Sequence, residues 1–508
     1  MLYAKVKPML KSNKILLVHP LGYRSESAGH DISRMANIMP PLGLASIAAY
    51  LKKENVNTDI VDCYAKPFSD RFIRDYLAKE VPSFIGFSCT TSSFLDGVRI
   101  AGMAKSILPN VKTVFGGPHV SALKTKILAD FPEVDFVVAG EGEETLAELL
   151  AYEGKIGMAS SIQGIVYRNQ EGTPHFNGYR AKGVELDSLP FPAYEKLEGY
   201  PHAYKLPIFN YPQVPNSSCI SSRGCPYACS YCDRSVFGSS FRYNSAEYLY
   251  EHLKYLKDRF HVRHINFYDD QFTFNRKRVE ALARLMIDKP LGMTFNCAVR
   301  AEHIDLDLAR MMKGAGCWMI SLGVETGDEE LLAQHRKNPN LEMLAEKIRL
   351  IHKARIRVKG LLMMGLPGET ESSIRKSMDY VFSLPIDDIN VSKFTPFPGT
   401  PLYENAHELG TFEEDWEKMD CMHFQFVPKG MTEELMEKLF VRFYRKHFMR
   451  PKMFLGYIAM IWRSPDSWKR FLVNIGGFIR FAFTNKRIAG ARKRPAPSAH
   501  ESPSYPGR

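Results

Sequence analysis

Short apolar runs alternate with amphipathic stretches along the first 150 residues of the chain. Five runs have the length and the apolar content of buried strands: 14–18, 58–62, 83–88, 111–115 and 135–139. Helical patterns lie between them, as in 42–53, 95–107 and 121–131. Strands that alternate with helices predict a parallel sheet covered on both faces, so we expect an α/β, flavodoxin-like doubly wound domain. Its ligands would bind at the carboxyl ends of the strands.

The same alternation resumes after about residue 215. Six further runs predict strands: 217–221, 264–268, 293–298, 317–323, 357–364 and 389–395. Helical patterns such as 246–260 and 341–354 separate them. Six β/α units predict a partial (β/α)6 barrel, whose chemistry would lie at the carboxyl ends of its strands.

The breaks in this pattern divide the chain into four parts. We predict an N-terminal domain over 1–150, a linker with a small hairpin over 151–210, the partial barrel over 211–420 and a helical region over 421–508. The turn of the hairpin is expected at Glu171-Gly172. The last eighteen residues have the composition of a disordered tail.

Positive charge is concentrated at the C-terminal end of the chain. The net charge is +11, and residues 441–508 contain fifteen Lys and Arg but only two acidic residues. The preceding part is therefore slightly acidic, which argues against a nucleic-acid groove spread over the main domains. Residues 453–462 and 471–483 are apolar and aromatic, but each is too short to span a bilayer.

The nine cysteines are sparse except for four between residues 219 and 232. A secreted disulfide framework would be denser and more regular, which favours a reducing compartment. The N-terminal stretch lacks an apolar core of signal-peptide length. We therefore expect a cytoplasmic protein.

The strongest chemical signal is a cysteine motif that directly follows the first strand of the predicted barrel. Cys225, Cys229 and Cys232 form the pattern C-x3-C-x2-C. Three thiolates on one loop can bind three irons of a four-iron cluster and leave the fourth iron open to a substrate. The alternative is structural zinc with Cys219 as a fourth ligand, which is disfavoured because Cys219 falls inside the predicted strand.

This motif resembles the signature of the radical S-adenosylmethionine superfamily. The resemblance implies that the three cysteines bind a [4Fe-4S] cluster. The amino and carboxylate groups of S-adenosylmethionine would chelate the open iron, and one electron would yield a 5′-deoxyadenosyl radical. Tyr231 occupies the aromatic position whose backbone would lie near the adenine.

An N-terminal doubly wound domain before such a barrel is similar to the cobalamin-binding branch of that superfamily. This branch contains class B methylases and enzymes like the anaerobic Mg-protoporphyrin cyclase. Motifs similar to those of the branch occur at 39–44, 116–119, 140–143, 268–272, 323–326 and 364–370. The resemblance covers roughly residues 14–400 and implies cobalamin as a second cofactor.

The candidate cobalamin-binding residues follow the strands of the N-terminal domain. Glycines there would let a flat macrocycle approach the backbone, and hydroxyl groups could bind corrin amides. The alternative is that these are ordinary turns between strands and helices. The Asp-x-His-x-x-Gly motif of many cobalamin proteins is absent, so the lower face of the cobalt would lack a protein histidine. The candidates are Pro41, Gly43, Ser88, Thr90, Thr91, Gly116, Gly117, His119, Gly140, Glu141 and Gly142.

Four charged residues at predicted strand ends of the barrel are candidates for contacts with S-adenosylmethionine or the substrate. Glu325 could pair with the amine of S-adenosylmethionine, and Arg300 could bind its carboxylate. Asp269 and Asp270 could hydrogen-bond the cofactor or the substrate. The alternative for each is a solvated loop charge or a helix N-cap.

The resemblance implies an enzyme that methylates an unactivated carbon of a natural-product or lipid-like small molecule. Three alternatives remain: a radical cyclase or rearrangement enzyme on a tetrapyrrole or other substrate, a tRNA thiomethylating enzyme, and a non-enzymatic cobalamin sensor. The thiomethylating enzymes usually have three more cysteines near the N-terminus, whereas only Cys63 and Cys89 precede residue 200 here. Expected partners are a flavodoxin or ferredoxin electron donor and, through 463–494, a membrane surface. For 441–462 we favour packing on the barrel.

Overall fold

The structure is a computed structural model that describes residues 14–22, 37–66, 69–181, 183–335 and 337–476. The predictions for the N-terminal stretch before residue 14, for the second half of 471–483 and for the disordered tail lie outside the described residues.

The N-terminal sheet has seven strands in the order β2-β1-β3-β4-β5-β6-β7, and its first five strands are parallel. This order confirms the predicted doubly wound topology. The strands are β1 Lys14–His19, β2 Asn57–Asp62, β3 Phe84–Ser88, β4 Lys112–Gly116, β5 Phe136–Val138, β6 Ile165–Arg168 and β7 Pro174–Phe176.

The hairpin of β6 and β7 belongs to this sheet, whereas the sequence pattern predicts it in a linker. β6 pairs with β5 in antiparallel orientation, and β7 pairs with β6. Without the hairpin, β5 would be an edge strand with unpaired backbone N–H and C=O groups, and pairing with β6 satisfies these groups. The N-terminal sheet therefore extends past residue 150.

Helices cover both faces of the N-terminal sheet, and each face has its own apolar core. The central strands β1 and β3 are buried nearly throughout, which is typical of a parallel sheet between two helical layers. The helices are α1 Leu42–Lys53, α2 Ser69–Glu80, α3 Phe94–Ile107, α4 Pro118–Leu123, α5 Thr125–Asp130, α6 Glu143–Ala151 and α7 Ile156–Ala159.

The second sheet contains six parallel strands in the order β15-β14-β13-β12-β11-β8, as expected for a partial barrel. Its strands are β8 Asn216–Cys219, β11 His264–Phe267, β12 Thr294–Val299, β13 Cys317–Glu325, β14 Arg357–Met364 and β15 Asp388–Lys393. The short antiparallel strands β9 Ser222–Arg223 and β10 Arg242–Tyr243 flank the loop that contains the three cysteines of the motif.

The barrel helices begin at residues whose side chains cap them. Ser245, Asn275, Asp305, Asn340 and Thr370 each accept a hydrogen bond from a backbone N–H of the following helix. The helices are α8 Ala246–Phe260, α9 Arg276–Asp288, α10 Leu306–Gly314, α11 Glu329–Gln334, α12 Leu341–Lys353 and α13 Glu371–Ser383.

The C-terminal region packs against the barrel. It comprises α14 Ala406–Leu409, β16 Gly410–Phe412, β17 Phe426–Pro428, α15 Glu433–Phe448, α16 Pro451–Arg463 and α17 Pro465–Val473. Met436, Leu439 and Phe443 on α15 belong to the barrel core. The described part of the chain contains no helix that is both long and apolar enough to cross a bilayer.

Candidate functional site

A cavity lies where the carboxyl edge of the N-terminal sheet meets the start of the barrel. Its empty volume is about 1210 Å³, including the solvent at its mouth. Ser88, Gly116 and Gly117 line it from the sheet, and Arg223 and Phe237 line it from the barrel side. The position agrees with the rule that α/β sheets bind ligands beyond the carboxyl ends of their strands.

Seven of the residues predicted to bind cobalamin line this cavity. Gly117 and Gly140 have φ angles of 100° and 87°, which favour glycine. A Cβ atom on Gly117 would lie 2.5 Å from the carbonyl oxygen of Cys89, so no other residue fits there without a shift of the backbone. The seven residues are Gly43, Ser88, Gly116, Gly117, Gly140, Glu141 and Gly142.

An apolar cleft continues the cavity along the face of the sheet. Leu17, Val114, Val138 and Leu146 line it together with Gly86 in the middle of β3. A Cβ atom on Gly86 would lie 2.8 Å from Cδ2 of Leu17, so the glycine keeps this cleft open. Gly86 is not part of a recognisable sequence motif, so the sequence pattern does not predict its role.

Pro41, Thr90, Thr91 and His119 are not among the residues that line the cavity, so their contact with cobalamin stays a prediction. The imidazole of His119 is buried between aromatic rings, 4.5 Å from the ring of Trp416, and its Nδ1 lies 3.3 Å from Oγ1 of Thr91. Burial lowers the pKa of His119 to about 3. Pro41 precedes α1, and Thr90 caps the 3₁₀ turn 91–93.

The three motif cysteines share one loop whose backbone requires glycine at its start. Gly224 has φ of 85°, and a Cβ atom there would lie 2.0 Å from the carbonyl oxygen of Ser240. Cys229 is buried, Cys225 is half-buried and Cys232 is exposed. Because each thiolate of an iron–sulfur cluster binds a different iron, the sulfurs need not converge on one point.

Single-ion binding by this loop has no support in the geometry. In the part of the chain that the structure describes, no three His, Cys, Asp or Glu side chains are placed to hold one metal ion. Cys219, the fourth ligand in the zinc alternative, is buried in β8 with its Sγ 3.6 Å from Nδ1 of His252. The cysteine geometry therefore favours a cluster over zinc.

Arg300, the residue predicted to bind the carboxylate of S-adenosylmethionine, lies beside the cysteine loop. Its Nη1 is 3.8 Å from Sγ of Cys229, and its guanidinium lies 3.8 Å from the ring centroid of Tyr227. Glu302 accepts a hydrogen bond of 2.8 Å from Nη2 of Arg300. Burial acts to raise the pKa of Glu302, but Arg300 outweighs it and holds the pKa at about 2. The sequence pattern does not predict Tyr227 or Glu302.

Asp269 and Asp270 have different surroundings. The buried carboxylate of Asp269 accepts hydrogen bonds from the backbone N–H and the hydroxyl of Ser221 and from the backbone N–H of Ser222. It therefore holds the turn that precedes the cysteine loop. Its contact with cofactor or substrate stays a prediction. The side chain of Asp270 reaches the surface, and partial desolvation followed by repulsion from Asp269 raises its pKa. The carboxylate accepts a hydrogen bond from the backbone N–H of Gly224, so it lies next to the start of the cysteine loop.

Glu325 ends β13 in a left-handed backbone conformation, with φ of 61°. A non-glycine residue there is uncommon and often marks a functional position. Nζ of Lys337 lies 3.2 Å from Oε1 of Glu325, and both side chains are largely buried. Burial and then the charge of Glu325 raise the pKa of Tyr231. Glu325, Lys337 and Tyr231 thus form one group at the mouth of the barrel.

Comparisons with known proteins agree with this arrangement. The family model "Radical SAM superfamily" matches residues 219–381, and the "B12 binding domain" model matches residues 31–150. The uncharacterized methyltransferase PH0819 of Pyrococcus horikoshii is 30% identical over 451 residues, which are 88% of this chain and 95% of that protein. The chain belongs to the radical SAM superfamily, in the branch that carries a B12-binding domain.

Two further comparisons support the same family. The anaerobic magnesium-protoporphyrin IX monomethyl ester cyclase of Rubrivivax gelatinosus is 26% identical, with 93% of this chain and 83% of that protein covered. The solved structure of the radical S-adenosylmethionine methyltransferase TsrM from Kitasatospora setae has a TM-score of 0.63 and 18% identity. The matched region covers 78% of this chain and 75% of the TsrM chain. The TsrM comparison confirms the fold.

The cofactors of this radical SAM protein are a [4Fe-4S] cluster, S-adenosylmethionine and cobalamin. The residues present fit them. Cys225, Cys229 and Cys232 would provide the three cluster thiolates. The cavity provides a glycine-lined edge above Gly116 and Gly117 and an apolar cleft at Gly86, where a large cofactor can approach the backbone.

A buried ion-pair network joins the B12-binding domain to the start of the cluster loop. We call it the interdomain network, and it consists of Glu141, Glu143, Arg223 and Arg242. Nη1 of Arg223 donates to Glu141 and Nη2 donates to Glu143, each over 2.6 Å. Arg242, opposite Arg223 in the β9–β10 pair, also binds Glu141.

The surroundings of Glu143 in this network favour its ionised form. Burial acts to raise the pKa of Glu143, but attraction to Arg223 outweighs it and holds the pKa below its usual value. Ser46 donates a hydrogen bond of 2.9 Å to the same carboxylate. Arg223 is two residues before Cys225, so carboxylates of one domain fix the first residues of the cluster loop in the other.

We predict that Arg223→Gln strongly destabilises the protein. The change leaves Glu143 buried without its cation, which costs about 3–5 kcal/mol. The measurement is the midpoint of thermal unfolding, followed by circular dichroism. Arg276→Gln is the matched control, because Arg276 pairs with Asp305 at the exposed surface, where an ion pair contributes about 0–1 kcal/mol. Equal losses in the two variants would contradict the role of the network.

A buried carboxylic acid holds the turn after β14. Glu369 accepts a hydrogen bond from the backbone N–H of Gly365, and burial raises its pKa to about 8. His335 ties the cluster loop to the same turn: its Nδ1 lies 2.9 Å from Oγ of Ser230 and its Nε2 donates to the carbonyl of Pro367 over 3.0 Å. The sequence pattern does not predict this support.

The pKa of Glu369 makes stability depend on pH. The unfolded chain releases this proton near pH 4.3, whereas the folded chain keeps it until about pH 8. The contribution of Glu369 to stability therefore falls as the pH rises between these values. We predict that Glu369→Gln, which keeps an acceptor for Gly365, raises Tm at pH 8 by several degrees and has little effect at pH 5. Equal shifts at both pH values would contradict a protonated Glu369.

Proposed function

We propose that this chain transfers a methyl group to an unactivated carbon of a small natural-product or lipid-like molecule. The observation that carries the proposal is the shared cavity. Gly117 of the B12-binding domain and Arg223, which leads into the cluster loop, line the same space. When bound, the cluster supplies one-electron cleavage of S-adenosylmethionine and cobalamin supplies a methyl carrier.

The chain's own residues would bind and orient S-adenosylmethionine. Arg300, held by Glu302 and stacked on Tyr227, is placed to bind a carboxylate next to Cys229. Glu325, which pairs with Lys337, would bind the amine. Asp270, which faces the cluster loop, is a further candidate for the same amine.

A second candidate reaction is radical cyclisation without methyl transfer. The likeness to the magnesium-protoporphyrin IX monomethyl ester cyclase extends over 93% of this chain, so the same scaffold is compatible with either reaction. Cys63 and Cys89, the cysteines that precede residue 200, are buried in the core of the N-terminal domain, which gives no support to a second cluster of the thiomethylating type.

The cluster assignment predicts that Cys229→Ala abolishes cleavage of S-adenosylmethionine. The anaerobically purified protein should contain iron and release 5′-deoxyadenosine when dithionite is added, and the variant should lose both properties. Cys297→Ala is the matched control, because Cys297 is buried in β12. Release of 5′-deoxyadenosine by Cys229→Ala at the rate of the control would refute the assignment.

The two candidate reactions differ in their products from S-adenosylmethionine. Methyl transfer consumes one molecule as methyl donor and so forms S-adenosylhomocysteine in addition to 5′-deoxyadenosine. Cyclisation forms 5′-deoxyadenosine alone. Quantification of both products with extracts as a source of substrate therefore separates the two reactions. Formation of 5′-deoxyadenosine that depends on the added extract, with no S-adenosylhomocysteine, would overturn the methyl-transfer proposal.

The cobalamin assignment predicts that Gly43→Leu blocks cobalamin binding without harm to the fold. Gly43 lines the cavity, and nothing lies within 4 Å of the Cβ position at this residue. Leucine also favours the helical conformation of α1 relative to glycine, so stability should not fall. We expect at least a tenfold loss of cobalamin affinity, measured by equilibrium dialysis, with the iron content unchanged.

The matched control is Gly157→Leu. Gly157 is an exposed helical glycine, also with nothing within 4 Å, but it does not line the cavity. Undiminished cobalamin binding by Gly43→Leu would place the cofactor elsewhere.

We also propose a reduced flavodoxin or ferredoxin as electron donor and a cytoplasmic, reducing compartment. The exposed thiol of Cys232 brings one side of the cluster loop close to the surface, which supports electron entry there. None of the nine cysteines, all of which lie within the described ranges, forms a disulfide, which supports a reducing compartment. We also propose the surface of a membrane as a partner of the C-terminal helices. Their charge and exposed apolar residues support this partner.

A further inference from the structure

The outer face of α15 and the start of α16 form a recess lined by basic side chains. We call it the basic recess. Its residues recur every three or four positions and so lie on one side of the helix, opposite the buried Met436, Leu439 and Phe443. The lining residues are Lys438, Val441, Arg442, Arg445, Lys446, Met449, Arg450 and Pro451.

The positive charge of the recess is largely uncompensated. Within the described ranges, no carboxylate forms an ion pair with Arg442, Arg445 or Lys446. The acidic residues of the same helix are engaged elsewhere: Glu434 pairs with Lys438, and Glu437 pairs with Lys393. Like charges this close repel one another, so a bound anion would relieve the repulsion.

Arg450 gives a second indication that the recess suits an anion. It lies half-buried at the inner end of the recess, and its Nη1 is shielded from solvent without a hydrogen-bond partner in the described structure. A guanidinium has five donors in a rigid fork that matches phosphate oxygens. Burial lowers the pKa of Arg450, which an anion would oppose.

Exposed apolar side chains occur in the recess and on the helices that follow it in the chain. Met449 lines it with 70% of its surface exposed, and Phe448 is 48% exposed. On the following helices, Leu455 and Trp462 are 64% and 77% exposed, and Leu472 and Val473 are exposed as well. Large apolar residues next to basic ones are typical of a helix that lies in the interface of an anionic bilayer.

We propose that the basic recess binds the phosphate headgroups of an anionic phospholipid bilayer, while the exposed apolar residues enter the acyl boundary. The charge of the region fits this partner: between residues 441 and 476 there are eight Lys and Arg and one Asp. The inference rests on the proposed membrane association and is independent of the reaction at the cluster. It places the docking surface on the face of α15 that does not pack on the barrel.

The test is cosedimentation of the full chain with vesicles of phosphatidylcholine that contain about one quarter phosphatidylglycerol. The variant Arg442→Gln/Arg445→Gln/Lys446→Gln should bind about 100-fold more weakly, since each basic residue near an anionic surface contributes about fivefold. The matched control Lys53→Gln/Arg74→Gln/Lys126→Gln removes the same charge from exposed sites of the N-terminal domain and should bind as the parent does.

Two further measurements identify the source of the phosphate and the apolar contribution. Trp462→Ser should also weaken binding to the anionic vesicles, and vesicles of phosphatidylcholine alone should bind the parent weakly. Inorganic phosphate at equal ionic strength should not raise Tm. A phosphate-dependent rise in Tm without vesicle binding would assign the recess to a soluble phosphorylated ligand and overturn the bilayer.

The outcomes separate this inference from the other proposals. If the recess variant and its matched control bind vesicles equally well, the role of the basic recess is overturned but membrane association is not. No vesicle binding by the parent would overturn both. The recess lies outside the cluster site, so all variants should release 5′-deoxyadenosine at the parental rate in the absence of vesicles. If a recess variant also loses this release, the variant is misfolded, which circular dichroism detects. The effect of Trp462→Ser on vesicle binding would then test the proposal.

Discussion

The arrangement of this protein depends on one buried electrostatic contact between its two α/β sheets. Arg223 forms ion pairs with Glu141 and Glu143, which follow β5 of the B12-binding domain, and Arg223 also begins the loop of the cluster cysteines. Desolvation of such charges is costly, so they persist only where the partners are close and saturated with hydrogen bonds. Ser46 and Arg242 complete that saturation. The contact fixes the two carboxyl edges around one cavity, and each cofactor site therefore has its position relative to the other built into the fold.

The cluster loop is supported from three sides by polar groups that would not touch a substrate. Asp269 holds the turn before the loop, the interdomain network holds Arg223, and His335 holds Ser230 against the turn at Pro367. Each of these groups is buried, and a buried polar group without a partner would cost free energy. A loop with only three cluster thiolates has no fourth ligand to restrain it, so the surrounding hydrogen bonds supply the restraint.

The C-terminal helices have two unlike faces. One face of α15 places Met436, Leu439 and Phe443 in the barrel core, and the opposite face is basic. Phe443 lies within 441–462, the range for which packing on the barrel is predicted, and its burial agrees with that prediction. Contact of the exposed apolar residues with a membrane surface stays a prediction. A helix with a 3.6-residue period can meet both requirements at once. Packing and surface exposure are therefore properties of the same segment rather than alternatives.

The sequence by itself determined the elements and the chemistry, because both are local. The strands begin and end within about two residues of the predicted positions, as Thr294–Val299 shows, since apolar periodicity and turn residues act over a few positions. The spacing of Cys225, Cys229 and Cys232 is likewise local. Only the tertiary structure decided which side chains meet. His119 packs against aromatic rings, and Asp269 binds Ser221. The 165–176 hairpin joins the first sheet. Arg223 lies between two carboxylates that are about 80 residues away in the chain. Such contacts depend on how separate elements pack, and no local pattern encodes the partner of a charge that folding brings near.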